Sequence, residues 1–263
     1  MAVTDIPDAR PAPDVEAVRG DARAALAAVT RAAGALDTAA LAAPSLLPGW
    51  SRSHVLAHIT AIGEAMARQA ERAAAGELVE VYDGGAAGRE AGIQAGAGRT
   101  VVEHVAALEA LAERLEAAWP APGSAAWDAP VSYRDGTVVD ALVAWWREVR
   151  LHAVDLDAGI GTGTWSPALA THLLDFLADR LPHGVTVEVT PAAPEPTQAV
   201  VQTETETETE TETETTVSGS LLDLAAWLAG RMPETAPHAW RAGERTALPE
   251  IGPWPSPYSP TAT

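Results

Sequence analysis

The stretch from Trp145 to Asp157 constrains the fold of this chain most strongly, because the apolar residues in and before it recur with the period of an α-helix. Residues three, four or seven positions apart fall on one face of a helix. The apolar stripe consists of Val138, Leu142, Trp145, Val149 and Leu156. The sequence therefore predicts a helix over residues 138–157 with one face in a hydrophobic core.

Two potential metal ligands border this stripe. Glu148 and His152 are four residues apart, so their side chains lie one above the other on the same flank of the helix. Arg147 and Arg150 are expected on the opposite side, toward solvent. Burying even a neutral polar group without a partner costs on the order of 2 to 7 kcal/mol, so the carboxylate and the imidazole both need partners. A metal ion is one such partner.

A second helix is predicted after Ser51 or Ser53, either of which can serve as the N-cap. Its apolar face comprises Val55, Ile59, Ile62 and Met66. His58 lies at the edge of this face, whereas the turn of about 100° per residue places His54 roughly 40° further toward solvent. We therefore favour His58 as a metal ligand.

Two more long helices are expected in this part of the chain, at residues 14–36 and 100–118. Between residues 76 and 99 the glycine content rises, which favours a long loop with one short helix that contains Arg89. Residues 14–160 are therefore predicted to form a helical domain with four long helices.

The pattern changes after residue 160. The glycine-rich run Gly159–Gly163 follows a helix, not a strand, so it favours a linker over a nucleotide-binding loop. The next elements are expected to be helices at 166–181 and 220–231 and strands at 185–189 and from Ala199. Residues 166–255 therefore indicate a small α+β domain.

Alternating Thr and Glu occupy residues 203–216. Both faces of this run are polar, so no apolar face would fix a strand register or reach a core. We interpret the run as an exposed low-complexity insertion. Residues 1–13, which are rich in Pro and Asp, are expected to form a flexible arm.

Composition excludes several classes of function. The net charge of −19, with scattered basic residues, disfavours nucleic acids and anionic membranes as main partners. The chain has no cysteine, which excludes thiolate-ligated zinc and a protein thiol nucleophile, and no lysine, which excludes Schiff-base chemistry. The absence of a long apolar stretch or apolar leader predicts a cytoplasmic protein, which we expect to be a monomer.

Two histidines and one glutamate are a common ligand set of catalytic zinc, which keeps a fourth position open. His58, Glu148 and His152 therefore form a candidate zinc site. Spacing alone leaves an alternative open, in which Glu148 pairs with Arg147 or Arg150 and the histidines merely flank the core. A serine hydrolase is disfavoured, since the chain lacks a Gly-x-Ser-x-Gly motif.

Four segments resemble the mycothiol-dependent maleylpyruvate isomerase family. Two are Leu47–His58 (LPGWSRSHVLAH) and Arg147–Leu156 (REVRLHAVDL). The others, Leu224–Arg231 (LAAWLAGR) and Leu248–Trp254 (LPEIGPW), are similar to the C-terminal domain of that family. The resemblance implies an N-terminal DinB-like four-helix bundle followed by a small C-terminal α+β domain.

The resemblance also implies a chemistry. His58, Glu148 and His152 match the zinc ligands of the family, and Arg231 and Arg89 match residues that bind carboxylates of the substrate or cofactor. The implied cofactors are zinc and mycothiol, whose thiolate adds to the cis double bond of maleylpyruvate, allows rotation and is then eliminated. Asp155 is either a hydrogen-bond acceptor behind His152 or a surface charge.

The predicted function is therefore a zinc- and mycothiol-dependent isomerase or thiol S-transferase that acts on a small electrophilic carboxylate, with its site between the two domains. Two alternatives remain at this stage. A non-catalytic DinB-like protein that binds a metal or ligand would not need Arg89 or Arg231 for ligand binding. A zinc hydrolase would work without any added thiol.

Overall fold

The computed structural model describes residues 14–190 and 214–255. The chain divides into two compact units, Met1–Ile160 and Gly161–Thr263. The division falls within Gly159–Gly163, the run that the sequence suggested as a linker, and Trp165 just after it is buried in the second unit. The predicted arm at residues 1–13 lies outside the described residues.

The first unit is helical throughout its described part. Its α-helices are α1 (Val15–Gly34), α2 (Thr38–Ala42), α3 (Arg52–Ala74), α4 (Gly85–Gly96), α5 (Val101–Ala118) and α6 (Val138–Asp155). Helices α1 and α3 each pack against both α5 and α6, so the four long helices enclose one core. This confirms the predicted four-helix bundle. Within the described ranges, no helix combines the length and apolarity needed to cross a membrane.

Side-chain caps set the beginnings of these helices. Ser51 is the N-cap of α3, as predicted, and its hydroxyl accepts a hydrogen bond from the His54 amide. Thr100 caps α5 with a reciprocal capping box, and at the start of α6 the Thr137 amide and hydroxyl both donate to the Asp140 carboxylate. The apolar stripe predicted for α6 is fully buried, since each of its five side chains is at most 2% exposed.

The expectation that Arg147 faces solvent is wrong. Its side chain is only 3% exposed, and its Nη2 donates a hydrogen bond to the Tyr133 hydroxyl at 3.0 Å. Arg150 is also largely covered, and its Nε donates to the Asp21 carboxylate on α1 at 3.1 Å. Both arginines thus have polar partners from distant parts of the chain, which helical spacing alone does not reveal.

Helix α4 contains Arg89, in agreement with the short helix expected in the glycine-rich segment. Gly96, at its end, lies close to α3, because a Cβ atom there would come within 2.9 Å of the Ala57 Cβ. The missing side chain lets α4 approach α3 beside His58. The short helix α2 was not predicted.

A buried histidine joins α3 to α5. The His104 side chain is fully buried, and its Nε2 lies 2.8 Å from the Ser53 hydroxyl, which donates to the Ala97 carbonyl at 2.7 Å. That hydroxyl therefore accepts from Nε2–H, and within the described part of the chain Nδ1 has no hydrogen-bond partner. Burial, together with the positive charge of Arg99, lowers the pKa of His104 to about 4.

We expect His104 to make the fold sensitive to acid. The unfolded chain, with an ordinary His pKa near 6.5, binds a proton that the folded chain rejects, so stability falls from about pH 6.5 down to about pH 4. The loss is about 2 kcal/mol at pH 5. His104→Gln keeps an N–H donor for Ser53 but does not titrate. Thermal melting from pH 7.5 to 4.5 should show a shallower decline for this variant, and equal slopes would contradict the assignment.

The second unit combines two helices with a four-stranded sheet in its described part. Its elements are α7 (Pro167–Phe176), β1 (Val185–Val189), β2 (Thr215–Gly219), α8 (Leu221–Leu228), β3 (His238–Arg241) and β4 (Glu244–Thr246). The strand order is β1-β2-β3-β4, with β1 and β2 parallel and the other pairs antiparallel. Val217, Leu224 and Ala239 form a small core between α8 and the sheet. This confirms the predicted α+β class.

Several boundaries differ from the sequence prediction. The helix expected over residues 166–181 ends at Phe176 and is followed by a separate 3-10 turn. Thr215 and Thr216, the last residues of the Thr-Glu run, are not part of an exposed insertion. They form the start of β2 and pair with β1. The rest of that run and the strand expected from Ala199 lie outside the described residues.

The hairpin of β3 and β4 was not predicted. Its two-residue turn, Ala242–Gly243, has positive φ at both positions, which suits the twist of a tight hairpin. An Ala at the first position gives a weaker turn signal than Asn or Asp, and the strands are only four and three residues long.

Candidate metal centre

Three side chains of the first unit converge on one point. His58 Nε2 lies 3.0 Å from His152 Nε2, and each of these nitrogens lies 3.3 Å from Glu148 Oε2. Helix α3 provides His58, and α6 provides the other two from successive turns. Among the described residues, this is the one group of three or more His, Cys, Asp or Glu side chains close enough to share a metal ion.

The shape of the triad fits zinc. Zinc–nitrogen and zinc–oxygen bonds of 2.0 to 2.2 Å in a tetrahedron place neighbouring ligand atoms roughly 3.3 to 3.5 Å apart. The three separations of 3.0, 3.3 and 3.3 Å are close to these values. Three protein ligands leave one tetrahedral position for an exogenous ligand. The alternative partners of Glu148, Arg147 and Arg150, are instead bound to Tyr133 and Asp21.

Asp155 orients one of the three donors. Its carboxylate accepts a hydrogen bond from His152 Nδ1 at 2.8 Å, and its side chain is only 2% exposed. Nδ1 is thereby occupied by Asp155, which leaves Nε2 as the nitrogen of this ring that can bind a metal. The structure thus decides between the two roles considered for Asp155, because a buried acceptor is not a surface charge.

We expect Asp155→Asn to weaken metal binding without abolishing it. An amide can present its nitrogen to His152 and no longer favours the Nδ1–H tautomer, so zinc affinity should fall about 10- to 100-fold. Competition with a chromogenic chelator measures this change. Asp157→Asn is the matched control, since that exposed carboxylate pairs with Arg52. Equal affinities for wild type and Asp155→Asn would refute an orienting role.

Comparison with known proteins places this chain in a family. A family model described as the mycothiol maleylpyruvate isomerase N-terminal domain matches residues 22–157, just over half of the chain. The chain belongs to the mycothiol maleylpyruvate isomerase family. The matched range contains all three members of the triad and Asp155.

Solved structures of this family resemble most of the chain. The crystal structure of the mycothiol-dependent maleylpyruvate isomerase matches with a TM-score of 0.73 and 25% identity, covering 91% of this chain and 97% of that one. A histidine-to-alanine mutant of that isomerase matches with the same score, identity and coverage. A search of curated proteins found no significant match.

The protonation of the triad follows from its contacts. Burial, together with charge on His152, lowers the pKa of His58 to about 4, so this imidazole is neutral at pH 7. Burial alone would raise the pKa of Glu148, but hydrogen bonds from His152 and His58 hold it well below its ordinary value. Burial would lower the pKa of His152, but the hydrogen bonds to Asp155 and Glu148 raise it. A metal at His152 Nε2 would compete with a proton for that nitrogen.

Trp50 is a further neighbour of the site that the sequence analysis did not select. Its ring packs edge-on against the His58 ring with centroids 5.5 Å apart, and lies 6.3 Å from the His54 ring. Trp50 lies just before Ser51, the extended N-cap of α3, so the helical wheel used to select His58 did not include it.

Arg89 lies close to the triad. Its Nη2 is 3.4 Å from His58 Nδ1. A guanidinium can only donate, so this contact favours the tautomer with the proton on Nε2. Metal coordination through Nε2 requires the proton on Nδ1 instead. A metal bound at Nε2 would therefore displace Arg89 from Nδ1, and the guanidinium would then be able to bind an anion.

Arg231 follows α8 in the second unit. Gly230 before it adopts a left-handed conformation with φ of +71°. The guanidinium donates to the Ala229 carbonyl at 2.6 Å, and its Cζ lies 5.2 Å from the centroid of the Trp254 ring. Its role as a substrate-binding residue stays a prediction.

Proposed function

We propose that this family member is a zinc- and mycothiol-dependent enzyme, either a cis-trans isomerase of the maleylpyruvate type or a thiol S-transferase. The observation that carries the proposal is the triad of His58, Glu148 and His152, whose separations fit a tetrahedral zinc ion with one open position. The chain has no cysteine, so a reactive sulfur has to come from a small-molecule thiol.

The residues of the triad would hold the metal through His58 Nε2, His152 Nε2 and Glu148 Oε2. When bound, zinc supplies a Lewis acid that keeps a thiol deprotonated at neutral pH. Glu148 contributes the one negative charge of the ligand set, and its low pKa keeps that charge in place. Asp155 fixes the His152 ring in the tautomer that donates its Nε2 lone pair.

The arginines would bind the organic substrate. A planar guanidinium binds a carboxylate through two parallel hydrogen bonds, and it stabilises negative charge that develops on an adjacent enolate oxygen. Arg89 is near His58, and we assign it to an anionic group close to the metal. We assign Arg231 to a substrate carboxylate on the basis of its match to the family segment that ends the late helix.

An assay of the zinc-loaded protein with maleylpyruvate, with and without mycothiol, tests the proposal. Conversion to the trans isomer, or formation of a mycothiol adduct, should require mycothiol. Equal turnover without any thiol would favour a zinc hydrolase. Zinc binding with neither turnover nor a mycothiol-dependent rise in melting temperature would favour a non-catalytic binding protein.

A further inference from the structure

Two guanidinium groups of the second unit lie near the same indole ring. Arg180 Cζ is 5.3 Å and Arg231 Cζ is 5.2 Å from the centroid of Trp254. Cations at this distance are attracted by the electron-rich face of an indole. Two like charges nevertheless repel each other, and burial, together with the charge of Arg231, lowers the pKa of Arg180. The fold thus holds two cations beside one ring.

Arg180 joins the segment carrying Trp254 to the end of α8. Its Nε donates to the Gly252 carbonyl at 2.8 Å, and the Gly252 amide donates back to the Arg180 carbonyl at the same distance. Its Nη1 donates to the Leu228 carbonyl in the last turn of α8. Each bond ends on a backbone atom, so Arg180 fixes the two main-chain segments relative to each other. Prolines on both sides of Trp254 further restrict its segment.

The Arg231 amide donates to the Ala226 carbonyl at 2.8 Å, so its backbone is fixed at the end of α8, whereas its side chain extends beyond the helix. A long arginine side chain loses considerable rotamer freedom when it is held in one geometry. The Ala229 carbonyl and the face of Trp254 restrict the guanidinium before any ligand arrives. Trp254 in turn contacts Phe176 of α7, with ring centroids 6.4 Å apart. A series of contacts through Trp254 thus connects α7 to the side chain of Arg231.

We propose that Trp254 and Arg180 are positioning residues that hold the Arg231 guanidinium in one orientation for a substrate carboxylate. The orienting part of this inference concerns the second unit alone, whereas its consequence for turnover rests on the proposed function. The two parts are tested separately.

Arginine side-chain NMR tests the orientation without any assay of activity. In protein labelled with 15N-arginine, the ring current of Trp254 should displace the Arg231 Nε–Hε resonance, which Arg231→Ala identifies. Trp254→Leu should move this resonance toward the position of a free arginine, and Arg180→Met should move it in the same direction. Trp240→Leu, at an exposed tryptophan on β3, is the matched control. An Arg231 resonance unaffected by Trp254→Leu overturns the proposal.

A double-mutant cycle tests the consequence. Trp254→Leu should lower kcat/KM for the carboxylate substrate about 10- to 100-fold, as expected for a displaced binding group. Zinc content and the mycothiol-induced rise in melting temperature should not change. Trp254→Phe, which keeps an aromatic face, should recover most of the loss.

The decisive comparison is made in the Arg231→Ala background, where Trp254→Leu should cause little further loss of kcat/KM. An equal loss in both backgrounds means that Trp254 acts through the general stability of the unit, and overturns the positioning role. Absence of thiol-dependent turnover in the wild type instead contradicts the proposed function, and the NMR result then decides the orienting role by itself.

Discussion

His58→Ala should abolish zinc binding, whereas His54→Ala should leave about one zinc ion per chain. His58 is 2% exposed and its Nε2 lies within 3.3 Å of both other donors, so its loss leaves two ligands and a cavity. His54 is one turn earlier on α3, but its Nδ1 is 2.7 Å from the Ser51 hydroxyl and its Nε2 faces Gln94. Elemental analysis of purified protein, normalised to chain concentration, measures the difference.

The His54 variant is a close control because it removes an imidazole from the same helix. It also removes the N3 side chain of the α3 capping box, so its stability should fall by about 1 kcal/mol even though zinc is retained. Stoichiometric zinc in His58→Ala would show that the ligand assignment is wrong. Zinc loss in both variants would mean that unfolding of the α3 terminus, not the loss of a ligand, releases the metal.

The grouping of His58, Glu148 and His152 could be anticipated from sequence because α3 and α6 present these side chains at the edge of an apolar stripe. The period of α6 places Glu148 and His152 one above the other, and the wheel of α3 distinguishes His58 from His54. Both predictions follow from the geometry of a single helix. The apolar faces pack together in the bundle, so residues at their edges are brought close to one another. The sequence does not contain the distance across the bundle, which the packing of α3 against α6 sets.

The polar contacts of the bundle show where such reasoning fails. Arg147 occupies a helical position that looks exposed, yet the segment before α6 folds back and brings the Tyr133 hydroxyl to its guanidinium. His104 similarly depends on Ser53 from another helix. These partners are 14 and 51 residues away along the chain, and helical periodicity carries no information on contacts at such separations.

The second unit was predicted less well because its elements are short. Helix α8 and strand β1 have clear apolar patterns and were anticipated. Strands β3 and β4 are mostly exposed, so they lack the alternation that marks a half-buried strand. Thr215 was assigned to the exposed Thr-Glu insertion, because its neighbours in sequence are polar up to Val217. It is only 8% exposed, since it pairs with both β1 and β3.

The effect of Arg231→Ala should be large on turnover and negligible on the metal. A guanidinium that binds a carboxylate and stabilises an enolate contributes mainly in the transition state, so kcat/KM should fall roughly 100- to 1000-fold. The three candidate zinc ligands all belong to the first unit, whereas Arg231 belongs to the second, so zinc content should equal that of the wild type. Arg245→Ala, at an exposed arginine of β4, is the matched control.

Measuring mycothiol binding to Arg231→Ala shows whether Arg231 binds the thiol cofactor or the electrophilic substrate. A ligand that binds only the folded zinc form stabilises it by RT ln(1 + [L]/Kd), about 2.7 kcal/mol at a hundredfold excess over Kd. If Arg231 binds the electrophile, Arg231→Ala should keep this stabilisation and lose turnover. If it binds a polar group of the thiol cofactor instead, both should fall together. Unchanged turnover in Arg231→Ala would contradict either role, and would leave Arg89 as the remaining candidate for binding the substrate carboxylate.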